Sequence, residues 1–445
     1  MPHALLISTY DLGRQPFGLA SPAAWLREAG VDVTCADLAK ARLPQDAVRS
    51  ATLVGFFLPM HTATRLALPV IDRVRKLNPS ATLVAYGLYA PLNEPLLRER
   101  GIQVVLGGEF EEELVNVARG SGFGTRGSTD GIPRLRFRVP IREVLPPLEN
   151  YASLQFGDER RVAGYTEASR GCKHRCRHCP IVPVYDGRFR VVQPDVVLAD
   201  ARAQVAAGAR HITFGDPDFF NGIRHAREIV ERFARECAGV SYDVTIKIEH
   251  LLKHRDLLPL LRETGCALVT SAVESLDDAV LARLEKGHTR ADFERAVEVC
   301  REAGLVLSPT FVAFTPWTTI ESFLDLLREI DRLELVNQVA PIQYAIRLLV
   351  PQGSRMLELT DMREVTGAFD PISLTYPWRH ADPRVDALQE RLGRLVGVRL
   401  NAPRRDVFER VWAETHAAAG QLAPERSHPA VDRSTVPYLN EPWYC

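Results

Sequence analysis

Three cysteines, Cys172, Cys176 and Cys179, fall within the decapeptide GCKHRCRHCP at the spacing C-x3-C-x2-C. Thiolates are soft ligands, and three of them hold three corners of a [4Fe-4S] cube while leaving one iron free for a substrate or cofactor. The same residues allow a four-coordinate zinc with His174 or His178 as the last ligand. Structural zinc sites usually divide their ligands into separated pairs, so a single tight run favours a cluster carried on one loop. Lys173, Arg175 and Arg177 lie between the cysteines, either offsetting cluster charge or forming a solvated basic loop. Cys35, Cys237, Cys266 and Cys300 sit in apolar contexts and read as buried packing residues. Cys445 reads as a free thiol on a mobile tail.

The elements that must carry this loop are of α/β type. ALLIST, VDVTCADL, TLVGFFLPM, ATLVAYGL and IQVVLGGE are short apolar runs, separated by helix-patterned SPAAWLREAG, TATRLALPVIDRVRKLN and EPLLRERG. That alternation predicts a parallel, Rossmann-like open sheet over residues 1–120, with any ligand at the carboxyl ends of its strands. Ser21-Pro22 is expected to open the first helix and Gly30 to close it. Residues 121–163 are rich in Gly, Ser, Pro and Arg and read as a linker. A second alternation over 164–381 predicts a full or partial (β/α) barrel, with VAPIQYAIRLL among its strands. In YDVTIKIEH the alternation puts Lys247 and Glu249 on one strand face. Residues 382–445 read as a helical extension and tail.

Composition narrows the partners. With 55 basic and 56 acidic residues the net charge is -1, so no global field attracts nucleic acid or an anionic membrane. No apolar stretch approaches the roughly 20 residues of a membrane span. The start lacks a secretory pattern, which points to a reducing cytoplasm where clustered cysteines bind metal.

The cysteine motif after the first barrel strand resembles the radical S-adenosylmethionine (SAM) superfamily, whose open iron chelates SAM. The likeness extends to FGDPDFF, which implies SAM contacts for Gly215, Asp216 and Asp218, and to SAVES, which makes Glu274 the residue approaching the SAM ribose or carboxylate. FVAFTPWTT and LLVPQGSRM resemble the later strand-end loops around adenine and methionine. One departure is His178, where the family usually has an aromatic residue. The resemblance implies that the reduced cluster cleaves SAM to a 5'-deoxyadenosyl radical, with flavodoxin or ferredoxin as electron donor and a small molecule or peptide as substrate.

The first 120 residues resemble the cobalamin-binding subclass. That likeness places Met60, His61 and Arg65 under the corrin and lets Gly87 and Gly108 approach it closely. The Asp-x-His-x-x-Gly motif that supplies an axial histidine elsewhere is absent, since the first strand continues STYDLGRQPFG. Phrases such as LPMHTATRLA, AYGLYAPLN and FGDPDFFNG resemble a narrower group with a Cys-Sec-Ala-Glu-Pro or Cys-Cys-Ala-Glu-Pro tail, and PYLNEPWYC resembles the approach to it. The resemblance implies an end missed at a selenocysteine codon, against which stands a genuine short variant. The expected activity is cobalamin-assisted methyl or group transfer or rearrangement. A cobalamin-independent radical SAM enzyme and a non-catalytic iron-sulfur or zinc protein are the alternatives.

Overall fold

The computed structural model describes residues 2–120, 132–398, 402–426 and 436–440, so Cys445 and the tail after Asn440 lie outside the described residues. The first sheet contains β1 (His3–Ser8), β2 (Asp32–Asp37), β3 (Leu53–Phe57), β4 (Thr82–Tyr86) and β5 (Val104–Leu106), all parallel, in the order β2-β1-β3-β4-β5. Between and after them run α1 (Phe17–Glu28), α2 (Gln45–Ser50), α3 (His61–Leu77), α4 (Glu94–Glu99) and α5 (Glu111–Ala118). The strands are apolar throughout because both faces are covered: Leu5, Ile7 and Phe56 meet Ala67 and Ile71 of α3, while Ala4, Leu6 and Tyr86 meet Leu19 and Ala23 of α1. The strand order reverses between β1 and β3, where sheets of this kind open a crevice.

Helix α1 begins at Phe17, ahead of the expected Ser21-Pro22 start, so Pro22 lies inside it. A proline has no N–H for the carbonyl four residues back. Here that carbonyl, on Gly18, accepts the Tyr86 hydroxyl at 2.9 Å. Gly18 must also lack a side chain, since a Cβ would lie 2.2 Å from the Phe57 ring.

Residues 132–152 cross from the first sheet to the second without a strand, the 3-10 turn Leu148–Asn150 being their regular element. Ile141 N bonds Ala20 O, and Arg142 joins Asp200 at 2.8 Å. The second sheet then starts inside the stretch read as linker, with β6 (Ser153–Phe156) antiparallel to β7 (Glu159–Thr166). β8 (Ser169–Gly171) follows and pairs with β9 (Phe189–Val191) beyond the short α6 (Val182–Tyr185). The parallel strands β7, β10 (His211–Phe214), β11 (Ser241–Thr245), β12 (Cys266–Glu274) and β13 (Leu307–Phe311) are connected through α7 (Pro194–Ala206), α8 (Ile223–Glu236), α9 (Ile248–Lys253), α10 (Leu258–Glu263), α11 (Asp278–Leu284) and α12 (Arg290–Glu302); α13 (Ile320–Arg332) follows β13. With β14 (Tyr438–Asn440) on β6, the order is β13-β12-β11-β10-β7-β6-β14, a curled half-barrel.

Two sequence expectations change here. The sixth barrel strand is reduced to one parallel bridge, Phe314 to Arg347, because Pro341 opens a 3-10 turn over Pro341–Tyr344 inside VAPIQYAIRLL. Strand β11 stops at Thr245, so Lys247 and Glu249 flank a helix start and meet there at 3.7 Å rather than by strand alternation.

The chain then passes through α14 (Thr360–Val365), α15 (Pro383–Gly397) and α16 (Arg404–Ala418). Between α14 and α15 a strap, residues 366–378, folds on itself through bridges Thr366 to Trp378 and Asp370 to Thr375. It reaches back to the first domain, where Leu374 joins the core on the α3 side of the first sheet.

Candidate functional site

The cysteine loop follows β8, just beyond the carboxyl end of the half-barrel strand β7. β8 leads into Cys172, which is buried, as is Cys176, and Cys179 is half-buried. A turn closes the loop, Cys179 N bonding Cys176 O at 3.1 Å, and Arg177 N anchors it to Leu284 O at 3.0 Å. Burial pushes the Cys172 thiol up, with a further rise from Cys176; burial likewise pushes Cys179 up to about 12, with further rises from Cys176 and Cys172. Three neighbouring sulfurs on one short loop are a soft donor set suited to a metal whose positive charge offsets that of the thiolates.

The cations beside the thiols are not those between them in sequence. Lys173 and Arg175 are exposed, Arg175 pairing with Asp186, and Arg177 pairs with Glu285 at 2.7 Å. Instead Lys247 Nζ lies 4.0 Å from Cys176 Sγ. Buried Lys286 faces Cys176 and Cys179, and its ammonium is held on against burial by Glu274 and by those thiols. His288, behind both lysines, is lowered to about 4 by burial and by their charge. Lys286 and His288 were not singled out from the sequence, because nothing local marks them; the signal is their proximity to SAVES in the following turn.

Glu274 ends β12 and is buried, with its Oε1 3.3 Å from Lys286 Nζ and 3.1 Å from His178 Nε2. Burial opposes its charge, yet Lys286 and His178 hold it down at about 2. Its φ is 71°, at a register shift against β13, a backbone that costs a non-glycine residue about 1–3 kcal/mol. His178, in the place where the family has an aromatic, is therefore the partner of Glu274.

Asp218 is fully buried below the loop. Its Oδ1 accepts Phe220 N, while His250 Nδ1 approaches Oδ2 at 2.6 Å and His174 Nε2 at 3.6 Å. Burial works against this carboxylate, but the two imidazoles outweigh it and hold it at about 2. Cys172, His174 and Asp218 each bring one ligand atom within 4.8 Å of the others. Asp216 turns elsewhere, bonding Ser169 Oγ at 2.5 Å and Ala168 N at 3.0 Å, and burial raises it to about 7. Its bonds brace β8, the strand that delivers Cys172. Gly215 lies flat under Tyr165, where a Cβ would sit 1.9 Å from the hydroxyl. Asp218 and Glu274 are thus brought to the cysteine loop, and Gly215 and Asp216 act just behind it.

The carboxyl edge of the first sheet faces this loop. Tyr89, after β4, is close enough to Cys179 for that thiol to add to the upward push of burial on its phenol. Gly353, in LLVPQGSRM, has Leu92 and Pro183 as neighbours, so that loop, the first domain and α6 meet. Gly87 and Gly108 have φ of 106° and 63°, and both end strands of this edge. Met60 and His61 begin α3 beneath the strap: His61 Nε2 bonds Ser373 O, its ring stands 6.4 Å from Tyr89, and burial lowers its pKa. Arg65 is exposed and near Asp370. A salt-bridged joint completes the interface: Arg170 of β8 pairs with Glu109 at 2.9 Å, Glu111 at 2.7 Å and Glu167 at 2.7 Å. Tyr185 Oη donates to Glu109 at 3.2 Å. Cys237, Cys266 and Cys300 are buried as expected, whereas Cys35 is half-buried.

The half-barrel and its three-cysteine loop define a class that the comparisons also return: residues 166–330 match the Radical SAM superfamily. That match runs from the end of β7 into α13, and the superfamily implies a [4Fe-4S] cluster and SAM. At the next level of detail, the chain is similar to the OxsB cobalamin-dependent radical enzyme, solved with aqua-cobalamin, at a TM-score of 0.71 and 14% identity over 94% of this chain and 72% of that one. It is similar to the TsrM methyltransferase from Kitasatospora setae at a TM-score of 0.59 and 20% identity, over 75% and 72% of the two chains. These likenesses establish the shared fold. Among curated proteins, a tRNA-2-methylthio-N(6)-dimethylallyladenosine synthase from Desulfosudis oleivorans is 30% identical over 213 residues, 46% of this chain and 45% of that protein. A hopanoid C-3 methylase from Methylococcus capsulatus is 24% identical over 344 residues, 71% of this chain and 64% of that protein. The chain thus spans about half to two thirds of the length of these relatives. Among the described residues no helix is long and apolar enough to cross a membrane.

Proposed function

We propose that the protein uses a cluster on Cys172, Cys176 and Cys179 to cleave SAM reductively, together with a cobalamin between the first sheet and the half-barrel, for methyl or other group transfer to a small molecule or peptide. The observation carrying this reading is the loop of three thiols, two buried and one half-buried, flanked by Lys247 and Lys286 at the carboxyl edge of the half-barrel. The donor set fits the cluster: three soft ligands on one loop, with His178 already joined to Glu274. When bound, the cluster with SAM supplies one-electron cleavage of a carbon–sulfur bond. Lys247 and Lys286 offset the charge of the thiolates. Glu274 and His178 fix the last turn of the loop, and Asp218 with His174 and His250 fixes its first turn.

Gly87 and Gly108 supply backbones of the kind that a corrin-facing edge needs. His61 donates Nε2–H to Ser373 O, which leaves Nδ1 as the ring nitrogen that could serve as a lower ligand. A flavodoxin or ferredoxin as electron donor and a cytoplasmic setting go with this chemistry. The phrases resembling the Cys-Sec-Ala-Glu-Pro group support kinship with it, and a longer natural tail is testable by sequencing past the codon for Cys445.

The test is anaerobic reconstitution with iron, sulfide and hydroxocobalamin, followed by metal analysis and electron paramagnetic resonance with and without SAM. The expected outcome is about four irons per chain, a reduced signal shifted by SAM, and about one cobalt. Serine at any one of the three cysteines should remove the SAM-shifted signal. Iron without cobalt supports the cobalamin-independent enzyme. One zinc without iron supports the binding-protein reading, which the approach of Cys172, His174 and Asp218 favours.

A further inference from the structure

The rim of the half-barrel beside Cys172 carries positive charge that the fold leaves unused. Lys173, Arg188, Arg224 and Lys253 are exposed there, and their side chains form no ion pair or hydrogen bond among the described residues. They come from four separate stretches of chain, yet they share one face. Lys173 Nζ lies 5.1 Å over the ring of Phe189, the residue after Arg188. Gly187 lies against the Lys173 carbonyl, where a Cβ would be 3.3 Å away, and Gly222, two residues before Arg224, would set a Cβ 3.3 Å from the Phe189 ring. The His254 imidazole is lowered by burial and then by the charges of His250, Lys253 and Lys173, so both lysines look onto one ring.

The acids nearby are already engaged. Asp186 pairs with Arg175, Glu249 with Lys247 and His174, and Glu228, one turn along α8 from Arg224, with Arg232. Arg255 and Asp256, both exposed beside Lys253, offset one another. In a chain of net charge -1 the rim is therefore a local surplus rather than part of a basic surface. It also lies over one thiol in particular. Cys179 faces Tyr89 of the first domain, and Cys176 faces Lys247 and Lys286. Cys172 directly precedes exposed Lys173, and Asn221 ties the two together: its Oδ1 accepts Lys173 N at 3.2 Å and lies 3.9 Å from Cys172 Sγ.

We propose that this rim is the docking surface for a small acidic electron-carrier protein, which delivers electrons on the Cys172 side of the loop. The proposal rests on reading the loop as a cluster site, since that is what makes the partner an electron carrier. One electron passes at a time: the carrier's reduced cofactor is oxidised and the cluster reduced, with no bond made or broken. Complementary charge of this kind speeds encounter and sets orientation more than it tightens a complex. A nucleic acid fits the rim less well, because its aromatic ring, Phe189, is covered by Lys173 instead of being free to stack on a base.

The test uses the full chain, as apoprotein and after cluster reconstitution, with an acidic flavodoxin as probe. Isothermal titration of the apoprotein reads docking, and stopped-flow absorbance of the reconstituted protein reads reduction by the reduced flavodoxin. Binding should saturate at low salt and be lost toward 1 M, where the screening length falls to about 3 Å. Arg188→Glu with Arg224→Glu, both outside the cysteine loop, should lower affinity and reduction rate about tenfold or more at low salt, and Lys173→Glu with Lys253→Glu should do the same. The charge-matched pair Arg73→Glu with Lys76→Glu, at exposed positions of α3, should change neither. Reduction by photoreduced deazaflavin, small and uncharged, should be equal in all variants. Absent or salt-independent flavodoxin binding, equal effects of rim and control pairs, or tighter binding of transfer RNA than of flavodoxin at this rim overturns the proposal. Failure of the cluster reading is seen separately, as absence of iron or of reduction by deazaflavin, while the apoprotein titration still judges the rim.

Discussion

At the residue scale the site turns on charges that the sequence order hides. Lys286 is buried against Glu274, and both face the thiol loop. Lys286→Met would strand a buried carboxylate, so urea unfolding of the apoprotein should show a loss of about 3–5 kcal/mol. The double variant with Glu274→Gln should recover much of it, because an uncharged pair is far cheaper to bury. Gly215→Ala should destabilise by about 1–3 kcal/mol, since its methyl would meet the Tyr165 ring in a packed interior. The cysteines were legible because their spacing is local and chemically specific. Asp218 and Glu274 were legible through resemblance to strand-end motifs, although their partners were not. Lys286 and His288 were invisible because they acquire meaning only when the turn after β12 folds back on the loop.

At the scale of elements, β8 is the critical piece. It is three residues long, precedes Cys172 directly, and carries Arg170 into three carboxylates, two of them from the first domain. One guanidinium cannot neutralise three acids. Burial raises Glu109 to about 7, opposed by Arg170 and aided by Glu111 and Glu167. Burial also raises Asp216, which braces the same strand, to about 7. An acid raised on folding contributes stability that is fully present below its unfolded value, near 4, and that is lost as pH rises through about 7. These two groups therefore make the apoprotein more resistant to denaturant at pH 5 than at pH 8, and Glu109→Gln should flatten part of that slope. Periodicity marked the strands of the first sheet and the parallel strands β10 to β13 of the second, and it missed β6, which lies in the stretch read as linker. It failed where a proline acted against its usual role: Pro22 lies inside α1 because Tyr86 takes up the freed carbonyl, and Pro341 turns the sixth strand aside.

At the scale of the whole molecule, the two sheets are joined by chain that returns. The strap carries Leu374, 1% exposed and with φ of 55°, into the core of the first domain, and Ser373 O onto His61. Leu374→Ala should cost about 2–5 kcal/mol and should raise proteolytic cleavage around α3 before the half-barrel is cut. No sequence pattern announced this contact, because it links residues more than three hundred positions apart and its hairpin is held by Asp370 and turn bonds rather than by a periodic element. The order of synthesis gives the strap a further meaning. A first domain ordinarily folds as it leaves the ribosome, but this one lacks a core side chain until nearly the whole half-barrel has been translated. The nascent first sheet is therefore made with an apolar slot that the strap fills only once the cysteine loop and the strands up to β13 have been translated.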